Sequence, residues 1–319
     1  MKKTSLFQKL VKFPLAAIVL AMGLTSCNND DNTIAEQTIV DVAASNPAFS
    51  TLVTAVNTAG LTSTLSGPGP FTVFAPTNEA FGRFLTDNNL TANALLGAPN
   101  LSEILTYHVL GAAVPSSSVA PGRVNTVANA PFFVSVAPDN SIWINGSSRV
   151  IQTDVTASNG IIHVLDYVIT PPTQSIAQIA VAASQNSSAP QFTQLVAALS
   201  RAGLVNAVSG GFDDNLTVFA PTDAAFQALY TTLGVSGIDE IDLDLLTRVL
   251  QYHVVPARAF SQDLRNGASL PTLLQGSNLT VNLNNLQINS SRLVESALNI
   301  HATNGVIHVI DTVLLPPAN

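Results

Sequence analysis

The sequence predicts an α+β protein made of two tandem modules, because the chain repeats itself and each copy mixes helix and strand patterns. Three stretches recur in the same order at a fixed offset of 145 positions. The repeating unit is therefore of domain size, far longer than solenoid repeats of about 20 to 50 residues. The recurring stretches are FTVFAPTNEAF at 71–81 and LTVFAPTDAAF at 216–226, Tyr-His at 107–108 and 252–253, and NGIIHVLD at 159–166 and NGVIHVID at 304–311.

Each copy opens with apolar residues at helical spacing after a proline, Pro47 or Pro190. The spacing i, i+3, i+4, i+7 predicts an amphipathic helix whose apolar face turns inward. Gly60 and Gly203 follow these runs and favour helix C-termini. The apolar residues are Phe49, Leu52, Val53 and Val56 in the first copy and Phe192, Leu195, Val196 and Leu199 in the second.

The repeated phrase TVFAPT predicts a strand, its end and the start of a helix. β-branched and aromatic residues favour the strand, and proline ends it because it cannot donate to a sheet ladder. The following threonine is placed as a helix N-cap. The residues of this fold signature are Thr72, Phe74, Pro76 and Thr77 in the first copy and Thr217, Phe219, Pro221 and Thr222 in the second.

A further helix precedes each Tyr-His pair, so that the pair lies at a helix end. In the first copy, Asn100 and Glu103 are placed as a capping box. In the second copy, one helix face is expected to carry several apolar residues. These are Ile238, Ile241, Leu245, Val249 and Tyr252.

The remainder of each copy reads as strands of a mostly antiparallel sheet. Alternating segments at 133–136, 141–144 and 279–283 are separated by Asn, Asp, Gly and Pro. The closing runs have apolar residues on both faces, which predicts a central strand. These runs add four residues to the fold signature: His163, Asp166, His308 and Asp311.

Taken together, these motifs resemble those of the fasciclin domain family. The resemblance covers essentially residues 36–172 and 173–319, which are the two predicted domains. It implies that each domain is a β-wedge of two mainly antiparallel sheets with helices packed along one edge. It also implies an exported or surface-anchored protein of cell adhesion and matrix contact.

The resemblance makes the two Tyr-His pairs possible interaction residues, since this motif is implicated in integrin-mediated adhesion by animal members of the family. The residues are Tyr107, His108, Tyr252 and His253. Their aliphatic neighbours favour a structural role, with the polar atoms hydrogen bonded inside the core. Direct contact with a ligand is the alternative.

Residues 1–27 read as a lipoprotein signal peptide. Four lysines precede a 12-residue apolar run, Phe13–Leu24, which is shorter than the roughly 20 residues of a membrane-spanning helix. The run closes on Leu24-Thr25-Ser26-Cys27, which resembles a lipobox, so Cys27 is the predicted site of lipidation, palmitate included. Residues 28–35 would form a polar tether, and the protein would be anchored to the outer membrane at the cell surface or the periplasmic face. An ordinary cleaved signal with an unrelated cysteine is the alternative.

Charge excludes some partners. The whole chain has a formal net charge of −8, but all four lysines lie in the predicted signal, which leaves eight arginines against twenty acidic residues. Such a chain cannot neutralise a row of phosphates, so nucleic acid and anionic membrane surfaces are poor partners. Contact with a membrane is expected through the lipid anchor only.

No catalytic, metal or cofactor motif is recognised, and the protein is not expected to be an enzyme. Each copy holds two histidines 55 positions apart, which is not zinc-site spacing, and His301 has no counterpart in the first copy. The acidic cluster Asp239, Glu240, Asp242 and Asp244 reads as a helix start and not as a calcium loop. Trp143 could stack on a sugar if it is exposed, although a buried aromatic residue is the simpler interpretation.

The sequence therefore predicts a lipid-anchored adhesion or interaction protein that binds an extracellular protein or polysaccharide. A periplasm-facing protein that binds a glycan or small ligand is the alternative, and an unrecognised hydrolase ranks below both. Any functional difference between the copies is expected where they diverge, as at 210–214 against 67–70.

Overall fold

A computed structural model describes residues 36–317. We refer to residues 36–172 as the first module and to residues 173–317 as the second module. The predicted signal peptide, Cys27 and the predicted tether lie outside the described residues. Both modules belong to one compact unit.

The first module has six α-helices and seven strands. The helices are α1 (Ile39–Ser45), α2 (Ser50–Thr58), α3 (Thr62–Leu65), α4 (Asn78–Asp87), α5 (Ala92–Leu96) and α6 (Leu101–Tyr107). The strands are β1 (Phe71–Pro76), β2 (Val109–Leu110), β3 (Gly122–Asn125), β4 (Pro131–Val136), β5 (Ile142–Ile144), β6 (Ser148–Ala157) and β7 (Gly160–Leu165).

The described part of the second module has four α-helices and eight strands. The helices are α7 (Ile176–Ser184), α8 (Thr193–Arg201), α9 (Asp223–Leu233) and α10 (Leu243–Tyr252). The strands are β8 (Leu216–Pro221), β9 (Val254–Val255), β10 (Ser269–Pro271), β11 (Asn278–Asn282), β12 (Gln287–Ile288), β13 (Ser291–Arg292), β14 (Ile300–Ala302) and β15 (Gly305–Ile310).

The strand pairing confirms the predicted α+β class and the central position of the closing strands. In the first module the order is β2-β1-β7-β6-β5-β4-β3, and in the second module the orders are β14-β15-β8-β9 and β10-β11-β12-β13. All pairs are antiparallel except β1 with β7 and β8 with β15. These two parallel pairs join the TVFAPT strand to the closing strand of the same module.

Each module has two hydrophobic cores. One core lies between the helices and the sheet, and it includes Leu52 and Val56 in the first module. The other lies among the strands, where Phe74 and Phe132 pack edge to face with ring centroids 5.1 Å apart. The second module repeats both cores. The apolar faces predicted for the opening helices are therefore turned inward, with Leu52 and Leu195 buried.

The predicted helix N-caps are partly confirmed. Thr77 and Thr222 accept hydrogen bonds from Ala80 N–H and Ala225 N–H, so both are the predicted N-caps. The capping box at Asn100 is wrong, since the Asn100 side chain makes no cap bond. Its ψ of 14° is far from the extended conformation that lets an N-cap side chain reach the next turn.

The helix face predicted for the second copy is partly wrong. Ile238 belongs to a separate 3₁₀ turn, Ile238–Glu240, and Ile241 follows it before the helix begins. Asp242 starts α10 instead, because its carboxylate accepts from Leu245 N–H at 2.9 Å. Both isoleucines are nevertheless buried, which explains why they matched a helical pattern.

The Asn-Gly turns tie each closing strand to the rest of its module. The side chain of Asn159 accepts from Ile39 N–H at 2.9 Å and donates to Leu65 O at 2.8 Å. A Cβ atom on Gly160 would lie 2.1 Å from Phe71 O, so this position requires glycine. Asn304 and Gly305 repeat the arrangement in the second module.

No single helix among residues 36–317 is long and apolar enough to cross a membrane. One pair bent by 106°, Ile39–Ser45 with Pro47–Thr58, meets the length and composition criteria when its two helices are taken together.

Candidate interaction site

The Tyr-His pair of the first module is buried. Tyr107, at the end of α6, donates from its hydroxyl to Pro131 O at 3.0 Å and accepts from the Asn145 side chain at 3.0 Å. Burial raises the pKa of this phenol, so it remains a neutral donor. The ring belongs to the strand-side core and is fully shielded from solvent. The motif thus presents no tyrosine surface to a partner.

His108 faces the other core of the module. Its Nδ1–H donates to Ile104 O at 2.7 Å, and its Nε2 accepts from Ile169 N–H at 3.2 Å. This pair of bonds requires the neutral imidazole, because a protonated ring would place two N–H groups against each other. Burial lowers the pKa of His108 to about 4, which agrees with that state. The adjacent residues Tyr107 and His108 therefore link the two cores.

The second module repeats this geometry. Tyr252 donates to Asn278 O at 3.0 Å and accepts from Asn289 at 2.9 Å. His253 contacts Val249 O at 2.7 Å and accepts from Leu314 N–H at 2.9 Å. Burial again lowers the pKa of the histidine to about 4.

Small apolar cavities lie beside both histidines, with volumes of about 30 Å³ next to His108 and about 20 Å³ next to His253. Each is about the size of one water molecule. Neither could hold a sugar or a side chain of a partner.

The other histidines of the fold signature hold loops against strands. His163 on β7 accepts from Asp154 N–H at 3.3 Å and donates from Nε2 to Val114 O at 2.9 Å. His308 on β15 makes the same pair of bonds, to Asn299 N–H and Ala259 O. The donor and acceptor positions are thus both used within the chain.

Thr72 and Thr217 hold the same loops from the neighbouring strand. Thr72 Oγ1 donates to Ala112 O at 2.6 Å and accepts from Val114 N–H at 2.8 Å. Thr217 repeats these bonds with Ala257 O and Ala259 N–H. Both threonines are fully buried. These two threonines are equivalent positions of the two copies, and each fixes the loop that follows its Tyr-His pair.

The carboxylates of the signature bind backbone. Asp166 accepts from Arg149 N–H at 2.8 Å, and Asp311 accepts from Arg292 N–H at 2.9 Å. Asp166 also lies 3.6 Å from the exposed guanidinium of Arg83. No group of three or more His, Cys, Asp or Glu side chains suited to a metal ion occurs within residues 36–317.

Trp143 is half-buried on β5, and its Nε1–H donates to Ser141 Oγ at 2.9 Å. The acidic cluster is split, because Asp242 caps α10 whereas Glu240 accepts from Ser236 N–H at 2.8 Å.

The junction between the modules is a site that was missed from the sequence. Phe133 of the first module contacts Phe260 and His301 of the second, with ring centroids 6.5 and 5.9 Å away. Arg258 places its guanidinium carbon 4.0 Å from the centroid of the Phe133 ring. Val306 completes this buried cluster with Phe133 and Phe260.

Burial affects the charges at the junction. Burial lowers the pKa of His301 to about 3, with the Arg258 charge as a second cause. Nε2 of His301 has no hydrogen-bond partner among the described residues. Burial also lowers the pKa of Arg258 to about 10, so this guanidinium is still charged at neutral pH. Burial also raises the pKa of Asp263, which accepts from Ser135 of the first module at 3.0 Å.

Backbone carbonyls of the first module accept hydrogen bonds around this cluster. Gly146 O accepts from Gln262 at 3.1 Å and from Asn299 at 2.9 Å. Val136 O accepts from Arg265 at 2.9 Å. A Cβ atom on Gly146 would lie 2.6 Å from Phe260 Cδ1, so the absence of a side chain permits the close approach.

The divergent loop at 210–214 also lies at the junction. Phe212 packs against the strand-side core of the first module. Arg123 donates to Phe212 O at 3.0 Å and to the Asp213 carboxylate at 2.8 Å. The sequence did carry a signal for the junction, because some of its residues depart from the repeat. Arg258 and His301 stand where the first copy has Ala113 and Thr156.

Comparison with known proteins bears on both modules. Residues 47–171 and 190–316 each match the family model described as Fasciclin domain. The chain is 46% identical over 143 residues to Protein sll1483 of Synechocystis sp., covering 44% of this chain and 77% of that protein. It is 30% identical over 260 residues to transforming growth factor-beta-induced protein ig-h3 of Sus scrofa, covering 79% of this chain and 35% of that protein.

Two further similarities have a lower sequence identity. Stabilin-2 of Rattus norvegicus is 29% identical over 226 residues, which cover 68% of this chain and only 15% of that protein. A solved domain pair of the insect cell adhesion molecule Fasciclin I is 19% identical, with a TM-score of 0.35, and covers 82% of this chain and 92% of that chain.

Proposed function

The chain belongs to the fasciclin domain family, and we propose that it is a lipid-anchored, extracytoplasmic interaction protein that binds an extracellular protein or polysaccharide. The observation that carries the proposal is that two fasciclin domains account for most of the chain. The lipobox-like run ending at Cys27 supports the anchor.

The buried Tyr-His pairs favour a partner surface elsewhere on the modules. All four residues are at most 3% exposed, so a ligand could reach them only if the cores opened. We therefore assign the pairs a structural role and assign binding to the exposed faces of the two modules. Because the junction is buried and hydrogen bonded, the modules would present these faces at a fixed spacing, which favours bivalent contact with a repeating partner.

A cell adhesion assay tests the proposal. It compares the adhesion of cells that carry the full chain with the adhesion of cells that carry a chain without residues 173–319. We expect deletion to weaken adhesion by at least about tenfold, because linked weak sites gain affinity from simultaneous engagement. Gly146→Ala, which keeps both modules but disturbs their junction, separates loss of a module from loss of fixed spacing. Unchanged adhesion after the deletion would rule the proposal out.

The anchor and the exposed location need their own measurement. Cys27→Ser should move the chain from the membrane fraction to the soluble fraction, because its predicted lipid attachment is lost. Protease treatment of intact cells should degrade the chain if it faces outward. Full protection until the outer membrane is broken would contradict surface adhesion and would favour the periplasm-facing alternative.

A further inference from the structure

The guanidinium of Arg258 occupies a defined backbone site within the second module. Its two terminal nitrogens donate to the carbonyls of a single β-hairpin, formed by β14 and β15. The contacts are Nη1 to Ala302 O at 2.9 Å, Nη1 to Gly305 O at 2.8 Å and Nη2 to Thr303 O at 2.9 Å. Two longer contacts join the guanidinium to the loop before β8, at Asp214 O and the Asn215 side chain.

The first module repeats this hairpin but has no arginine to fill it. Ala157 pairs with Gly160 as Ala302 pairs with Gly305. Gly160 also lies opposite Phe71 on the parallel neighbour, as Gly305 lies opposite Leu216. The carbonyls of Ala157, Ser158 and Gly160 are therefore placed like those that bind Arg258.

The loop that carries Arg258 is also repeated, with Ala113 at the equivalent position. Thr72 holds the residues on either side of Ala113, through Ala112 O and Val114 N–H. Thr217 holds the residues on either side of Arg258 in the same way. Ala113 is exposed, and its methyl group leaves open the space that the Arg258 side chain fills in the second module.

An open groove lies at this place in the first module, with a volume of about 570 Å³. Its lining includes Gly69, Ala113, Ser158 and Gly160. The loop before β1 differs from its counterpart, since Pro70 stands where the second module has Asn215. The likeness between the two modules therefore lies in the three hairpin carbonyls.

We propose that this groove of the first module binds the guanidinium group of an arginine side chain presented by a partner protein. Carbonyl oxygens only accept hydrogen bonds, and a guanidinium offers five donors in a rigid planar fork. A lysine ammonium lacks that fork, so arginine should be preferred. The formal charge of −8 on the chain also favours a cationic partner. This site would exist whether or not the chain acts in adhesion.

Amide NMR of the full chain tests the site directly. The probes are a short peptide with one central arginine and matched peptides with lysine or citrulline in its place, each titrated into the millimolar range. We expect saturable shifts at Ser158–Ile161 with the arginine peptide only. The hairpin at 303–306 is an internal control, because Arg258 already fills it.

Ala113→Arg is the matched variant, since it places in the first module the side chain that the second module already has. It should abolish the shifts at Ser158–Ile161 and raise the melting temperature by about 2–4 °C. Three results would overturn the proposal. They are equal shifts with the citrulline or lysine peptide, no shifts with the arginine peptide at millimolar concentration, and shifts that persist in A113R. Capped arginine amide that binds as tightly as the peptide would indicate a site for a small guanidino compound and would overturn the assignment to a partner protein.

Discussion

Phe133 on β4 of the first module lies against the guanidinium of Arg258 of the second module, with the guanidinium carbon 4.0 Å from the ring centroid. A desolvated cation over an aromatic face contributes roughly 2 kcal/mol. The same guanidinium is held by the hairpin of its own module. Arg258 thus links the internal structure of the second module to the position of the first.

Phe133→Ala should uncouple the modules, because it removes the ring that contacts Phe260, His301 and Arg258. We expect a loss of about 3–5 kcal/mol at the junction and separate unfolding transitions for the two modules in calorimetry. Phe132→Ala is the matched control, since the neighbouring ring packs inside the first module. It should lower the stability of that module. A single cooperative transition in F133A would contradict this role.

Gly146→Ala should open the junction on steric grounds. The added Cβ atom would meet Phe260 Cδ1 at 2.6 Å and Asn299 Cγ at 2.8 Å, and the backbone has φ of +66°. Gly203→Ala has the same φ of +66° but meets nothing within 4 Å, so it adds backbone strain without a clash. In urea denaturation, G146A should lose clearly more stability than G203A. Equal losses would show that strain alone is responsible.

Tyr107→Phe should destabilise the first module without changing adhesion. The variant leaves Pro131 O and the Asn145 side chain without their buried partner, which costs about 1–3 kcal/mol. Tyr252→Phe should act alike in the second module. Denaturation curves measured together with cell adhesion check both parts. A variant with unchanged stability and lost adhesion would instead assign the tyrosine to ligand contact.

Stability should fall as the pH drops from about 6.5 to about 4. The pKa of His108, His253 and His308 is lowered by burial to about 4, from an ordinary value of 6.5. The unfolded chain therefore binds more protons in this window, and unfolding becomes more favourable as protons are added. Above the ordinary histidine pKa, these groups do not make the stability depend on pH. The raised pKa of Asp263 acts in the opposite direction.

Urea denaturation at several pH values measures this slope. His253→Gln should reduce the slope between the two limits, because one proton-binding group is removed from the unfolded state. Exposed Asp139→Asn is a control for general charge effects, since its pKa is lowered by Ser141 and its titration falls below the window. A wild-type chain whose stability stays constant across the window would contradict the neutral, buried state of these histidines.

Much of each module could be predicted from the sequence because the signals are local. The strand, proline and threonine of TVFAPT act within a few residues, so Thr77 and Thr222 were correctly identified as N-caps. The predictions at Asn100 and Ile238 were wrong because they also rested on local patterns alone. A cap pattern does not reveal whether the backbone is extended, and a helical spacing of buried residues also fits a 3₁₀ turn followed by a helix.

The sequence by itself determined that this chain contains two copies of one α+β module, because the repeated words encode strand ends, caps and buried positions. The tertiary structure alone decided how the copies are joined and which of their grooves is filled. Phe133, Arg258 and His301 are far apart in sequence and belong to different copies. Their contacts depend on two folded surfaces meeting, and no periodicity within either surface specifies that approach.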